Sequence, residues 1–154
     1  MTAPEVPPAD EVTQDWWAAT TEHRLVVQSC GSCDGVQHPP RALCIHCGST
    51  ERLGWRAASG TGTVDSFTVV HRAPRAGLEV PYVVARVRLD EGPILLTRLE
   101  GRDAGDEWVV DDRVRVAWAD LPDGRALPVF HPVEGEPDRA EVPAAERQHR
   151  GLPA

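Results

Sequence analysis

The chain has 154 residues, 41% of them hydrophobic and 26% charged, proportions of one ordinary globular domain that exclude collagen-like, coiled-coil and wholly disordered readings. All 16 of its Lys/Arg cations are Arg, set against 24 acids for a net charge of −8, a balance that disfavours sequence-blind binding to nucleic acid or anionic membrane. No apolar run approaches the roughly 18 to 20 residues of a membrane helix, and residues 1 to 10 carry two acids, no basic side chain and no apolar core, so no secretory signal is read there and a cytoplasmic location is expected.

Residues 1–9 contain three Pro and are expected to be flexible. Residues 10–23 fit an amphipathic helix: Asp10 or Thr13 can cap it, and Val12, Trp16, Ala19 and His23 recur on one face. Trp17 falls off that stripe. The Trp16–Trp17 pair has two readings, as part of this protein's own core or as an apolar handle for a partner. The second is attractive because a short helix ahead of a small metal module has little core of its own to cover.

Residues 24–58 read as a metal ribbon. A short strand, Leu25-Val26-Val27, leads into Cys30, Cys33, Cys44 and Cys47, the whole cysteine inventory, arranged as two C-x2-C pairs separated by ten residues. Four thiols rarely persist as disulfides in a reducing cytosol, whereas two such turns bring four thiolates to the corners of a tetrahedron about 2.3 Å from one metal. A redox dithiol needs only one pair, and a catalytic zinc keeps one position open that four thiolates close. A structural Zn2+ is therefore expected. Iron in a rubredoxin-like site shares the ligand set, and the short gap between pairs favours zinc. Small or turn-forming residues follow each pair, Asp34-Gly35 and Gly48-Ser49, and the connector His38-Pro39-Pro40-Arg41 is extended by its prolines. His38 and His46 are expected beside the site rather than in it.

After Ser59 the apolar pattern changes to period two, with strands expected at 61–71, 81–90, 93–99, 113–119 and 126–131. Val83, Ala85, Val87 and Leu89 alternate with Arg86 and Arg88, and Val114, Val116 and Trp118 with Arg113 and Arg115, the pattern of antiparallel strands with one solvated face. Five short strands suggest a small closed barrel over residues 59–131, most simply an OB-fold. Ser59-Gly60-Thr61-Gly62-Thr63 lacks the Lys and the following helix of a phosphate loop, and its glycines suit a sharply coiled first strand. Residues 132–154 contain four Pro and few large apolar side chains, and a flexible tail is expected. The fold class is thus mainly β: N-terminal helix, rubredoxin-like zinc ribbon, five-stranded OB-fold barrel.

Taken in order, Asp15-Trp16-Trp17-Ala18, Arg24-Leu25-Val26-Val27-Gln28, the two cysteine pairs around His38-Pro39-Pro40-Arg41, Phe67-Thr68-Val69-Val70-His71, Pro81-Tyr82-Val83-Val84-Ala85 and Leu127-Pro128-Val129-Phe130 resemble the zinc-ribbon/OB-fold family catalogued as domain of unknown function thirty-five. The resemblance covers about residues 10–131. Ile45 stands where members commonly have Pro, and Asp111-Asp112 replaces a turn that usually contains Gly. The resemblance implies a non-catalytic accessory subunit of a thiolase-like acyl-CoA enzyme, including lipid-transfer-protein-like aldolases of steroid side-chain breakdown, or a companion of a hotdog-fold enoyl-CoA hydratase. It further implies a heterotetramer around an enzyme dimer.

On that reading the helix and ribbon dock on the enzyme, and the barrel frames the acyl-CoA entrance. Arg86, Arg88, Arg98, Arg113 and Arg115 become candidates for contacts to CoA phosphates, because Arg presents bidentate charged donors; an ordinary solvated barrel face is the competing reading. His71 and His131 end predicted strands and are expected in capping or loop roles rather than as bases. Two other classes remain. The barrel could bind acyl-CoA by itself, or the chain could bind single-stranded nucleic acid; the latter is disfavoured by 5% aromatic content and by 18 acids against 13 Arg over residues 10–131.

Overall fold

The computed structural model describes residues 6–103 and 108–133. The expected tails, residues 1–9 and 132–154, lie mostly outside the described residues. Where the N-terminal stretch is described it is anchored: Val6 packs against buried side chains of the helix region, and the Pro7 carbonyl accepts from Arg125 at 2.8 Å.

Among the described residues one helix, α1 (Gln14–Thr21), precedes eight strands. The Asp10 carboxylate accepts the amides of Val12 and Thr13 and the Thr13 hydroxyl, which caps the turn that leads into α1. Its buried face is Trp16, Trp17, Ala19 and Thr20, not the expected stripe ending at His23. The helix stops at Thr21, and His23 takes a left-handed backbone, φ 52°, which swings its ring outward to stack on Trp118 and meet Asp120 at 2.7 Å.

Strands β1 (Val26–Cys30), β2 (Val36–Gln37) and β3 (Leu53–Ala57) form a small antiparallel sheet in the order β2-β1-β3. β4 (Thr61–Val70), β5 (Tyr82–Leu89), β6 (Ile94–Leu99), β7 (Arg113–Asp120) and β8 (Ala126–Pro132) close a barrel in the order β4-β5-β6-β8-β7. The crossover places β8 parallel to β6 at Leu99 and Phe130 and antiparallel to β7 along its length, the OB-fold arrangement. Each barrel strand lies within about a residue of its expected position because its period-two pattern reflects one buried and one wet face.

The glycines just before and within the start of β4 have a specific task. A Cβ on Gly62 would sit 2.4 Å from the Arg88 carbonyl, and one on Gly60 would sit 2.6 Å from Val116. Only glycine lets β4 lie so close to β5 and β7. The register then slips at Asp65, between Val64 and Ser66, a bulge that coils the strand around the barrel.

Val64, Val83, Ala85, Val87, Leu89, Leu95, Leu99, Val114 and Phe130 fill the barrel, and Trp108, from the β6–β7 connection, joins them. Leu25 and Val27 of the ribbon belong to the same cluster, so ribbon and barrel share one core. A second cluster unites Trp16, Trp17, Ala19, Val26 and Leu121, with Val6 and Trp55 against it. Each indole of the Trp pair is only 8% exposed, and Arg125 lies 4.3 Å over Trp17. The handle reading of Trp16 and Trp17 is therefore corrected. Their surroundings come from Leu121 and Arg125, about a hundred residues along the chain, and the pair welds the helix to the β7–β8 turn. Trp17→Ala is expected to cost about 3–5 kcal/mol in denaturant unfolding; a loss under about 1 kcal/mol would restore the exposed handle.

Candidate metal centre and outer barrel face

Cys30 ends β1, and Cys33 follows one tight turn later; Cys44 and Cys47 repeat the arrangement after the connector. The two knuckles match bond for bond. The Asp34 amide donates to the Cys30 carbonyl at 2.8 Å and the Gly48 amide to the Cys44 carbonyl at 2.9 Å. The Ser32 amide points at Cys30 Sγ and the His46 amide at Cys44 Sγ, each 3.4 Å away. Asp34 and Gly48 both have positive φ, 58° and 76°, which turns each loop back over its sulfurs. In each pair the first cysteine is buried and the second exposed.

All four sulfurs lie within 4.8 Å of one another, with Cys30–Cys47 at 3.8 Å and Cys33–Cys44 at 3.6 Å. A tetrahedron with Zn–S bonds of about 2.3 Å has edges of about 3.8 Å, so the residues present fit the ion. Without a cation the thiols titrate unevenly. Cys30 is drawn down to about 6, first by the Ser32 amide. Cys33 is pushed up to about 12: the Gly35 amide pulls it down, but hydrogen bonding with the other three cysteines and burial outweigh that. Four thiolates in one small volume would also repel one another. A dication removes that conflict.

Neither neighbouring histidine enters the shell. His46 lays its ring over Gly35, where a Cβ would meet it at 2.4 Å, and its Nε2 lies 2.9 Å from the Val36 carbonyl. His38 packs 5.7 Å from the Trp16 ring, and its Nδ1 is buried without a hydrogen-bond partner among the described residues.

Sequence reasoning missed a pair of buried glutamines. Gln28, 5% exposed, and Gln37, 3% exposed, face each other on β1 and β2 and are hydrogen-bonded. Gln28 Oε1 accepts from the Arg41 amide at 2.9 Å and its Nε2 donates to the Arg41 carbonyl at 3.0 Å. Gln37 Oε1 accepts from the Ile45 amide at 2.8 Å and its Nε2 donates to the Leu43 carbonyl at 3.0 Å. The two side chains replace a missing strand, satisfying the backbone that leads into the second knuckle. Gln28 stood inside a recognisable motif, but nothing in the sequence signalled its partner.

The five candidate arginines form one band on the outer barrel surface. Arg98 sits diagonal to Arg86 across β6 and β5, Arg88 and Arg113 flank Thr63 from β5 and β7, and Arg115 pairs with Thr61. Asp65 at the bulge holds Arg88 at 2.9 Å and Arg86 at 3.4 Å. Arg98 lies over Tyr82, 5.1 Å from the ring centre. Arg113 grips Asp90 bidentately at 2.7 and 2.9 Å, and that contact, with the Thr61 hydroxyl, holds the Asp90 carboxyl down at about 2. His71 is exposed just beyond β4, and His131, near the end of β8, lies 3.9 Å from Glu100.

Two family models cover most of this architecture. The rubredoxin-like zinc ribbon domain of ChsH2 matches residues 17–51, and the C-terminal OB-fold domain of ChsH2 matches residues 55–119. A chain of the solved structure described as the Ltp2-ChsH2(DUF35) aldolase superposes with a TM-score of 0.75 at 38% identity, covering 82% of this chain and 98% of that one. The chain belongs to the ChsH2/DUF35 zinc-ribbon and OB-fold family.

Among its relatives, a probable enoyl-CoA hydratase alpha subunit of Thermomonospora curvata is 41% identical over 76% of this chain, and the 3-oxo-4,17-pregnadiene-20-carboxyl-CoA hydratase alpha subunit of Mycobacterium tuberculosis is 34% identical over 76%. This ChsH2-family chain spans only 36% and 37% of those two proteins. A DUF35 domain-containing scaffold protein of Methanocaldococcus jannaschii is 32% identical over 53% of this chain and 58% of its own length. No helix among the described residues is long and apolar enough to cross a membrane.

Gln37→Leu leaves the Leu43 carbonyl and the Ile45 amide unpaired and is expected to cost about 1–3 kcal/mol and to speed zinc loss to a chromogenic chelator; unchanged release kinetics would remove the clamp from the account. Burial lowers the folded-state pKa of His38 to about 4, below the usual 6.5. Protons then favour the unfolded chain, so His38 costs no stability above about pH 6.5 and progressively more as pH falls toward 4. Against His38→Phe, the wild type is expected to lose roughly 3 kcal/mol more between pH 6.5 and 4; parallel pH profiles would refute this.

Proposed function

We propose that this chain is a non-catalytic, zinc-stabilised accessory subunit that docks on and supports a thiolase-like acyl-CoA enzyme, in a heterotetramer built around an enzyme dimer. The observation that carries the reading is the superposition, across nearly the whole of that chain, on a component of the Ltp2-ChsH2(DUF35) aldolase. The residues agree with it. Among the described residues the clustered nucleophiles are the four cysteines, and a metal bound by all four has no open position for substrate. The scaffold protein of Methanocaldococcus jannaschii points the same way.

On this reading the arginine band of the barrel faces the acyl-CoA entrance. Arg86, Arg88, Arg98, Arg113 and Arg115 supply donors for the CoA phosphates, the first three already oriented by Asp65 and Tyr82. The likeness to the Mycobacterium tuberculosis 3-oxo-4,17-pregnadiene-20-carboxyl-CoA hydratase alpha subunit supports a steroid side-chain thioester as substrate. A second reading, companionship to an enoyl-CoA hydratase, is favoured by both hydratase-named relatives, of which this chain matches about a third.

Co-expression with a thiolase-like aldolase and, separately, with an enoyl-CoA hydratase tests the proposal. The expected result is a stable two-plus-two assembly with the thiolase-like partner, whose activity needs both chains. Assembly with the hydratase alone would select the second reading, and turnover of acyl-CoA by the isolated chain would end both. Within the active assembly, Arg86→Glu with Arg88→Glu is expected to raise KM for acyl-CoA about tenfold with little change in kcat; an unchanged KM would return the band to an ordinary solvated face.

A further inference from the structure

The cysteines of the metal site hold nearly all the oxidisable sulfur of the chain, whose only other sulfur is that of its single methionine, Met1. The four are not equivalent. Cys30 and Cys44 are 2% and 1% exposed, whereas Cys33 and Cys47 lie open at the surface. Each exposed sulfur rests against the buried sulfur of the other pair, Cys47 at 3.8 Å from Cys30 and Cys33 at 3.6 Å from Cys44. An exposed sulfur that meets an oxidant therefore has a second thiolate within reach on the opposite turn. Closing either contact to a disulfide, with its sulfurs about 2.05 Å apart, moves each sulfur by less than about 1 Å. The backbone bonds that shape the turns, from the Asp34 amide to Cys30 and from the Gly48 amide to Cys44, lie within each turn and are kept.

From this arrangement we propose that the ribbon is a peroxide-responsive modification site, in which Cys33 and Cys47 are the sulfurs oxidised and Cys44 and Cys30 are their resolving partners across the knuckles. A thiolate sulfur attacks hydrogen peroxide, the O–O bond breaks, and the sulfur becomes a sulfenic acid while the departing hydroxide takes a proton to form water. The opposite thiolate then attacks that sulfur. An S–S bond forms, the S–O bond breaks, and a second hydroxide leaves and is protonated to water. Two thiolates, one peroxide and two protons thus give one disulfide and two waters, and the sulfurs lose the two electrons that the peroxide gains. Because the thiolate is the metal ligand, each disulfide removes two ligands, and the chain exchanges its metal for covalent links between the same two turns. A thiol reductant returns the electrons and restores the ligands. The inference concerns the ribbon's own sulfurs and holds whichever enzyme the chain accompanies.

The test treats the full zinc-loaded chain with hydrogen peroxide beside a chromogenic chelator, alkylates the remaining thiols and digests with trypsin without reduction. Arg41 lies between the two pairs, so cleavage leaves Cys30 and Cys33 in residues 25–41 and Cys44 and Cys47 in residues 42–52. The expected result is zinc release that depends on peroxide, an intact chain lighter by four hydrogens than its reduced form, and the two peptides joined, with fragmentation showing Cys30 linked to Cys47 and Cys33 to Cys44. Dithiothreitol with added zinc is expected to restore the metal content. Peptides that stay separate, with each disulfide inside its own turn, overturn the proposal, as does a link between Cys30 and Cys44. Sulfinic or sulfonic acids in place of disulfides, or zinc release at the same rate with and without peroxide, overturn it equally.

Discussion

Four sulfurs drawn within 4.8 Å of one another cannot all ionise in that volume unless a cation sits among them. Hydrogen bonding sets the individual acidities, the Ser32 amide drawing Cys30 down and the other cysteines pushing Cys33 up, and full ionisation would add mutual repulsion. A divalent ion converts it into attraction, with a binding free energy of roughly 10–16 kcal/mol in small zinc peptides. The sheet it supports has strands of five, two and five residues, too little apolar area to order itself. Ion and sheet are therefore one folding unit, and the positions of Gln28, Gln37 and the connector depend on it.

That unit is not an appendage. β1 carries Cys30 at one end, while Val27, fully buried, and neighbouring Leu25 reach into the barrel core. Val26, pointing the other way, packs with Trp16 and Trp17. One short strand thus connects the metal, the barrel and the helix. On the far side, Arg125 ties the β7–β8 turn to the N-terminal stretch by stacking on Trp17 and donating to Pro7. Contacts on both flanks make the ribbon's orientation on the barrel a property of packed side chains rather than of a hinge.

The barrel strands and the metal ligands were legible because each rests on a local pattern. Alternation reports a face that is buried whatever its partner, and two C-x2-C pairs count out a complete coordination shell. What depended on distant partners was not legible. Trp16 and Trp17 look the same in sequence whether they meet solvent, another protein or Leu121, and only the fold decides. His23 sat on the helical period but beyond the helix's end. Gln28 and Gln37 are polar residues in a strand and a two-residue bridge, and their value lies in unpaired backbone at residues 41, 43 and 45 that no periodicity reveals. Asp111 takes the left-handed conformation, φ 73°, where the family resemblance expects a glycine nearby, so that departure changes the residue and keeps the turn.

The proposed accessory role rests on the same division. An enzyme's reactive groups are kept available, with shifted acidity and an approach for substrate; here the most strongly shifted thiols are those a metal would consume, and the lowered histidine, His38, packs half-buried beside Trp16. Polar contacts instead serve placement. Asp65 and Tyr82 set the directions of three arginines on the barrel, and Gln28 and Gln37 set the backbone that leads into the second knuckle. Because ribbon and barrel share one core, the place of the arginine band relative to the metal site is set by packed side chains.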